Sequence, residues 1–169
     1  RAEGRDFVVQ VVGDVPSRRR YAAHARRLGL GDHIEWHGLL REGRARLYRE
    51  ATLLAAPCTI ASFGVVLLEA MASGIPIVCA DNVGFRQVIR DGAPGRFVSP
   101  SNPVDLARGI GAVLDDDALR ADWARNGRSV AETRYAWPRV AIEGIYLEAL
   151  AGPDRALAHS RRAVLVGAN

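Results

Sequence analysis

Short apolar runs alternate with amphipathic stretches along most of the chain. The apolar runs have the length and composition of buried β-strands, and most of them end at a glycine, proline or aspartate that is typical of a turn. They predict strands over residues 7–12, 34–37, 52–56, 75–80 and 96–98. The stretches between them predict helices over residues 17–28, 41–51, 63–72 and 84–90.

The pattern becomes helical from Pro103 onward. It predicts helices over residues 103–114, 118–131, 137–150 and 153–166. Continuous apolar strands that alternate with helices are typical of a parallel sheet covered by helices on both faces. We therefore predict an α/β, Rossmann-like domain over residues 1–150 and a C-terminal helical tail over residues 151–169.

Composition and cysteine usage favour a soluble, cytoplasmic protein. The 169 residues are 49% hydrophobic and 25% charged, as in an ordinary globular domain. The longest apolar stretch, residues 64–80, contains a charge, a glycine and a proline, so no membrane span is predicted. No signal peptide is visible, and Cys58 and Cys79 lie in apolar surroundings, which indicates reduced, packed thiols. The four histidines lack metal-ligand spacing, so no metal site is predicted.

All 23 basic residues are arginine, and the formal net charge is +4. Five of them cluster around the predicted helix over residues 17–28: Arg18, Arg19, Arg20, Arg26 and Arg27. Such a run is usually a solvated helix face. The alternative interpretation is contact with an anionic ligand or an anionic membrane surface. No nucleic-acid motif accompanies the charge, so nucleic acid is not a predicted partner.

The most informative segment is PCTIASFGVVLLEAMASGIP, residues 57–76. A predicted strand runs through a loop into a helix whose first amides have no partner within the helix and carry the positive end of its dipole. In the loop, Ser62 is a candidate helix cap, and Gly64 would let a ligand approach the backbone. The segment therefore predicts a cradle for a phosphate or diphosphate.

Glu69 is the only charged residue of this helix, which is otherwise apolar on nearly every face. Burying a lone carboxylate costs several kcal/mol, so it must be hydrogen-bonded or face a wet cleft. It lies about 9 Å along the helix axis from Phe63, a distance that suits the ribose of a nucleotide whose diphosphate sits at the first turn. The alternative is a structural acid paired with an arginine or a backbone amide.

The stretch SFGVVLLEAMASGIPIV resembles the signature of the retaining glycosyltransferases of family 4, which have the GT-B fold. Four other stretches follow in the family's order and spacing: VVGD at 11–14, LGLGDHIEWHG at 28–38, LYREATLLAAP at 47–57 and VIRDGAPGRFV at 88–98. The resemblance covers about residues 7–150. It implies that the domain is the C-terminal, donor-binding half of a GT-B protein.

The resemblance also implies a reaction and a binding site. The site would be made from the residues that match the family's motifs: Gly38, Leu39, Ser62, Phe63, Gly64, Val65 and Glu69. The backbone over 63–65 would hold the donor diphosphate, Glu69 the ribose hydroxyls, and residues 38–39 the base. A sugar would move from a GDP- or UDP-linked donor to an acceptor with retention of configuration. Helix amides and basic side chains would neutralise the leaving diphosphate without a metal or another cofactor; no catalytic residue is identified.

The sequence departs from the family at three places. Ala61 stands where the family has an acid that touches the donor sugar, eight positions before Glu69. This favours the alternative of a catalytically silent homologue or interaction module. The Gly84-Phe85-Arg86 triplet resembles lipid-acceptor mannosyltransferases that act on phosphatidylinositol, which implies a hexosyl or mannosyl donor and peripheral contact with the inner face of the membrane.

The third departure is that the family's strand with an Arg and Lys pair, expected before residue 7, is absent. It would lie between the strands at 7–12 and 52–56, and its loss would leave unpaired backbone groups on two sides. We therefore expect an N-terminal part that supplies this strand and an acceptor domain, and expect this chain alone to be incomplete and inactive.

A Rossmann domain for another nucleotide is a further alternative, which the lack of a Gly-x-Gly-x-x-Gly motif disfavours.

Overall fold

The computed structural model describes residues 7–40, 42–89, 94–135 and 162–166. Its strands are β1 (Val8–Val12), β2 (Ile34–Gly38), β3 (Leu53–Ala56), β4 (Ile77–Ala80), β5 (Arg96–Val98) and β6 (Arg162–Val166). Its helices are α1 (Arg18–Arg27), α2 (Arg44–Glu50), α3 (Val65–Ala72), α4 (Val83–Val88), α5 (Pro103–Leu114) and α6 (Asp117–Arg134). A short 3₁₀ turn over Gly31–His33 precedes β2.

The strands form one sheet in the order β2-β1-β6-β3-β4-β5, and every pairing is parallel. Alternate residues of the central strands enter two different apolar clusters. Leu54 and Ile77 belong to the cluster that contains α3, whereas Leu53 and Val78 belong to the cluster under α5. Helices therefore cover both faces, and the predicted Rossmann-like α/β fold is confirmed.

Strand β6 occupies the position between β1 and β3 where the sequence predicted a gap. Arg162 pairs with Val8 on one side, and Ala163 pairs with Leu53 on the other. The predicted helix over 153–166 and the helical tail are therefore wrong for Arg162–Val166. A helix there would leave the facing edges of β1 and β3 unpaired. Hydrogen bonding to these distant strands therefore outweighs the local helical pattern. The predicted helix over 137–150 lies outside the described residues.

Most other elements lie within two residues of their predicted bounds. Two helices begin later because a glycine with a left-handed backbone precedes each: Gly43 with φ 80° before α2, and Gly64 with φ 103° before α3. Helix α6 is longer than predicted, and the Asp116 side chain caps its first turn by accepting a hydrogen bond from the Leu119 amide at 2.8 Å.

Helix α3 is the most deeply packed helix of the described structure. Its residues 67–72 are all buried between the sheet and α6. Gly127 of α6 allows this close approach, since a Cβ there would lie 3.4 Å from the Met71 Cα. No helix in the described ranges combines the length and the apolarity needed to cross a bilayer.

Candidate active site

The candidate site lies at the carboxyl edge of the sheet, where ligands of open parallel sheets bind. One backbone hydrogen bond and one side-chain hydrogen bond tie loops of this edge together. The Gly13 amide donates to the Gly38 carbonyl at 2.9 Å, which joins the ends of β1 and β2. The Asn82 side-chain amide donates to the Cys58 carbonyl at 2.9 Å, which joins the loops after β3 and β4. The edge is therefore fixed at two separate points.

The loop between β3 and α3 rests against the first turn of α4. A Cβ added to Gly84 would lie only 2.0 Å from the Ala61 carbonyl oxygen. Such a contact is far inside van der Waals distance, so any side chain at this position would displace the loop. Asn82 fixes the same turn by accepting a hydrogen bond from the Phe85 amide at 2.9 Å. Gly84 and Asn82 thus set the position of the loop that leads into α3.

Gly64 precedes the first turn of α3 and adopts a backbone conformation that glycine favours. Its Cβ position would also lie 2.8 Å from Cδ1 of Phe85. The group that comes close to Gly64 in this structure is therefore the Phe85 ring. The expected cap is wrong: Ser62 is exposed, and no side chain of the described residues caps α3. The Val65 and Val66 amides, at the positive end of the helix dipole, are thus left without a cap, whereas the Leu67 amide donates to the Gly64 carbonyl at 2.9 Å.

The Glu69 carboxylate is 4% exposed and has two partners, both on α2. Arg44 Nη2 lies 3.0 Å from Glu69 Oε1, and the Tyr48 hydroxyl donates to Glu69 Oε2 at 2.9 Å. Burial raises the pKa of Glu69, and Arg44 and then Tyr48 act in the opposite direction. The arginine-paired acid that the sequence left open as an alternative is therefore the arrangement present here.

Sequence reasoning did not select Arg44 or Tyr48. The signal that could have found them is their four-residue spacing on a predicted helix, which puts both on one face. Arg44 is 34% exposed on its side chain, and its Nε is buried without a partner among the described residues. The ion pair thus joins a buried carboxylate to a partly exposed guanidinium. The contacts from described residues use two of about four acceptor positions on the carboxylate.

Gly38 and Leu39 lie at the end of β2, apart from α3. Gly38 has φ 70° and nothing within 4 Å of its Cβ position, and Leu39 is 77% exposed. Strands β1 and β6 separate β2 from β3, so these residues lie roughly 14 Å from the α3 side at the usual strand spacing. A ligand that touched both would extend along the sheet edge. Helix α2 spans this gap, because it follows β2 and reaches Glu69 through Arg44.

Two further groups border the edge. Arg86 pairs with Asp81 at 2.5 Å, and this contact lowers the pKa of the Asp81 carboxyl. Burial raises the pKa of Cys79 to about 12, so its thiol stays protonated at neutral pH. Both cysteines are free.

Within the described part of the chain, no group of three or more His, Cys, Asp or Glu side chains could hold a metal ion.

A protein-family model described as "Glycosyl transferases group 1" matches residues 1–130. A phosphatidyl-myo-inositol mannosyltransferase from Mycobacterium tuberculosis is 42% identical over 130 residues. The match covers 73% of this chain and 32% of that protein. The chain therefore spans about a third of the length of this curated relative.

Solved structures show the same architecture. The structure of Anabaena HepE in complex with UDP superposes with a TM-score of 0.68 at 27% identity, covering 76% of this chain and 37% of HepE. The C-terminal domain of LpcC, a glycosyl transferase group 1 family protein from Francisella tularensis, gives a TM-score of 0.66. That match, at 17% identity, covers 76% of this chain and 86% of the domain, and it shows the fold alone.

Proposed function

The chain belongs to the glycosyl transferases group 1 family, and on that premise we propose that it binds the donor in a retaining glycosyltransferase. The sugar moves from a nucleoside-diphosphate sugar to an acceptor. The observation that carries this proposal is the uncapped first turn of α3 at the carboxyl edge of the sheet. HepE, which has a similar fold, was crystallised with UDP.

The donor diphosphate binds at the start of α3. The amides over residues 63–65 donate hydrogen bonds to its oxygens, and the helix dipole stabilises its charge. Gly84 and Asn82 keep the preceding loop in place, so little reorganisation is needed when the ligand arrives. Because these donors stabilise the charge that develops on the leaving diphosphate, no metal or other cofactor is required for that role.

The ribose and base extend from the diphosphate along the sheet edge. Glu69 accepts hydrogen bonds from the ribose hydroxyls through the acceptor positions that Arg44 and Tyr48 leave free. Gly38 and Leu39 contact the base, and the open backbone at Gly38 and the exposed Leu39 side chain support this role. The base is uracil or guanine.

The sugar is a hexose, with mannose as the favoured candidate. The Gly84-Phe85-Arg86 triplet and the identity with a phosphatidyl-myo-inositol mannosyltransferase support this choice. An inositol phospholipid is then the acceptor. Transfer takes place in the cleft with a second, acceptor-binding domain, so we expect the 169 residues alone to bind donor without transferring sugar.

A lipid acceptor requires contact with an anionic membrane surface, at its cytoplasmic face. Helix α1 suits this contact because its five arginines are exposed and no described carboxylate pairs with them. The Tyr21 side chain, 55% exposed, adds apolar area.

We expect the chain to sediment with vesicles that contain phosphatidylglycerol but not with neutral vesicles. Replacing Arg19 and Arg26 by Gln should weaken this sedimentation, and equal sedimentation of both vesicle types would contradict the contact.

The second candidate function is an interaction module that kept the fold and lost donor chemistry. Ala61 supports it, because no acid is available at that position to touch the donor sugar. In this case the open amides of α3 and the Glu69 ion pair are remnants of an ancestral site. The two candidates differ in nucleotide binding.

Calorimetric titration with UDP, GDP and their hexose conjugates separates the candidates. The transferase proposal expects binding to one of these nucleotides. It also expects Glu69→Ala to weaken binding about tenfold or more, since a hydrogen bond to a charged group contributes about 1.5–3 kcal/mol. Glu132→Ala, which removes an exposed carboxylate from α6, serves as the matched control. If none of the nucleotides binds, the interaction module is the better explanation.

A further inference from the structure

Helix α2 supplies both partners of the buried Glu69 carboxylate. Arg44 and Tyr48 are four residues apart on this helix, so their side chains leave it on the same face. Each engages a different oxygen: Arg44 Nη2 lies 3.0 Å from Oε1, and the Tyr48 hydroxyl lies 2.9 Å from Oε2. Two contacts from one rigid helix fix both the position and the plane of the carboxylate.

The two partners differ in their exposure. Tyr48 is 1% exposed and contacts the acid from inside the core, whereas Arg44 is 34% exposed and contacts it from the outer side. Arg44 Nε is also buried without a partner in the described part of the chain. The outer side of the carboxylate is therefore bordered by a cation that has one unused donor.

A carboxylate at this depth needs a nearby cation to remain ionised. Burial disfavours the charged form, and an adjacent cation or a donated hydrogen bond favours it. The ionised form accepts hydrogen bonds at both oxygens, whereas the protonated form loses part of that capacity to its own proton. A ribose diol offers two donors, so the ionised form is the one that can satisfy both hydroxyls.

We propose that Arg44 is a positioning residue for ribose recognition, which holds the Glu69 carboxylate charged and oriented so that it accepts both ribose hydroxyls. This inference rests on the proposed function, since it assigns the ribose of the donor to Glu69. It adds a specificity role to a residue on α2 that lies outside the loop and helix of the diphosphate site.

The charged groups on the other elements around α3 have partners of their own. Helix α6 pairs Arg128 with Glu132, and helix α4 pairs Arg86 with Asp81. On α3 itself, Glu69 is the only charged residue. Strand β4 contributes only Cys79, whose thiol is neutral because its pKa is raised to about 12. Burial raises the pKa of Glu69, and the Arg44 and then the Tyr48 side chain oppose that shift, so an Arg44 variant removes one identified contribution.

The test compares the full chain with its Arg44→Met and Arg44→Lys variants across a range of pH. The ligand is whichever of UDP and GDP the unmodified chain binds, measured beside its 2′-deoxy counterpart. At neutral pH we expect Arg44→Met to bind the ribonucleotide about tenfold more weakly and to lose its preference over the deoxynucleotide. Without the cation the pKa of Glu69 rises further, so this loss should shrink as the pH is raised. Arg44→Lys should retain most of the affinity.

Three results would overturn the inference. A loss of the same size at every pH would show that Arg44 only supports the fold. A gain of affinity in Arg44→Met would show that the guanidinium competes with the ribose for Glu69. If Glu69→Ala leaves the affinity of a binding chain unchanged, the acid does not touch the ribose. If Arg44→Met does not fold, Tyr48→Phe is used instead, since it removes only the hydroxyl that donates to Glu69. It should likewise weaken binding of the ribonucleotide. Absence of nucleotide binding by the unmodified chain would instead refute the proposed function.

Discussion

The two halves of the sheet are packed very differently. On one side, all residues of β3 and β4 and residues 67–72 of α3 are buried. On the other side, none of the residues of β2 is buried, and α1 buries only Ala25. The dense half holds the proposed diphosphate site, and the thin half holds the proposed base contacts. On the proposed function, the groups that must be preorganised around charge would lie on the densely buried half, and the base contacts on the half where fewer side chains are buried.

Strand β6 joins these halves, and interrupting it should have the largest effect. Leu165→Pro removes a backbone donor from a strand that is paired on both sides, a central position where proline is essentially not found. We expect the variant to unfold in two steps or to be unfolded, as followed by circular dichroism in urea. Asp117→Pro is the control, because proline is tolerated at the first position of a helix. One transition with an unchanged midpoint would mean that the halves do not need β6.

A core truncation on each half should show the next largest contrast. Leu68 on α3 is 1% exposed, so Leu68→Ala should lower the free energy of unfolding by about 2–5 kcal/mol. Leu28, at the end of α1, is 59% exposed, and Leu28→Ala should change it by no more than about 0.5 kcal/mol. Urea denaturation of both variants measures the difference. Similar losses in both would contradict the described asymmetry.

The Gly84→Ala substitution tests whether the dense half also positions the site. The new methyl group overlaps the Ala61 carbonyl, so we expect a loss of about 1–3 kcal/mol in stability as the loop shifts. Nucleotide affinity should fall as well, because the first turn of α3 follows this loop. The neighbouring Val83→Ala, at a side chain that is 78% exposed, should affect neither quantity. Unchanged affinity in folded Gly84→Ala would separate the loop from the binding site.

The smallest effect is the pH dependence that Glu69 contributes to stability. Its pKa is raised in the folded state, so between its ordinary value and the folded value the native chain holds more protons than the unfolded chain. The contribution of Glu69 is therefore fully present at acid pH and is lost as the pH rises through that window. Glu69→Gln, which does not titrate, should lack this decline. Parallel stability curves for the two proteins would contradict the raised pKa.

The sequence predicted the parts of the structure that depend on neighbouring residues. The apolar runs located β1 to β5, and the helical pattern from Pro103 placed the start of α5 at the observed residue. Strand β6 was missed because its partners lie far away in the chain, and only pairing with both of them makes it a strand. The Glu69 partners were missed for the same reason, since Arg44 and Tyr48 come from a different helix. The predicted Ser62 cap failed because Gly64 turns the backbone before α3 starts.

The place of β6 in the sheet also constrains how the chain can reach its native state. Residue 162 pairs with residue 8, so a growing chain on the ribosome carries open edges on β1 and β3 until Arg162–Val166 have emerged. Closing the sheet requires contacts between segments that are distant in the sequence. Such contacts form slowly, and the intermediates that precede them are prone to aggregate. The edges of β1 and β3 are therefore open to wrong pairing until β6 is inserted between them.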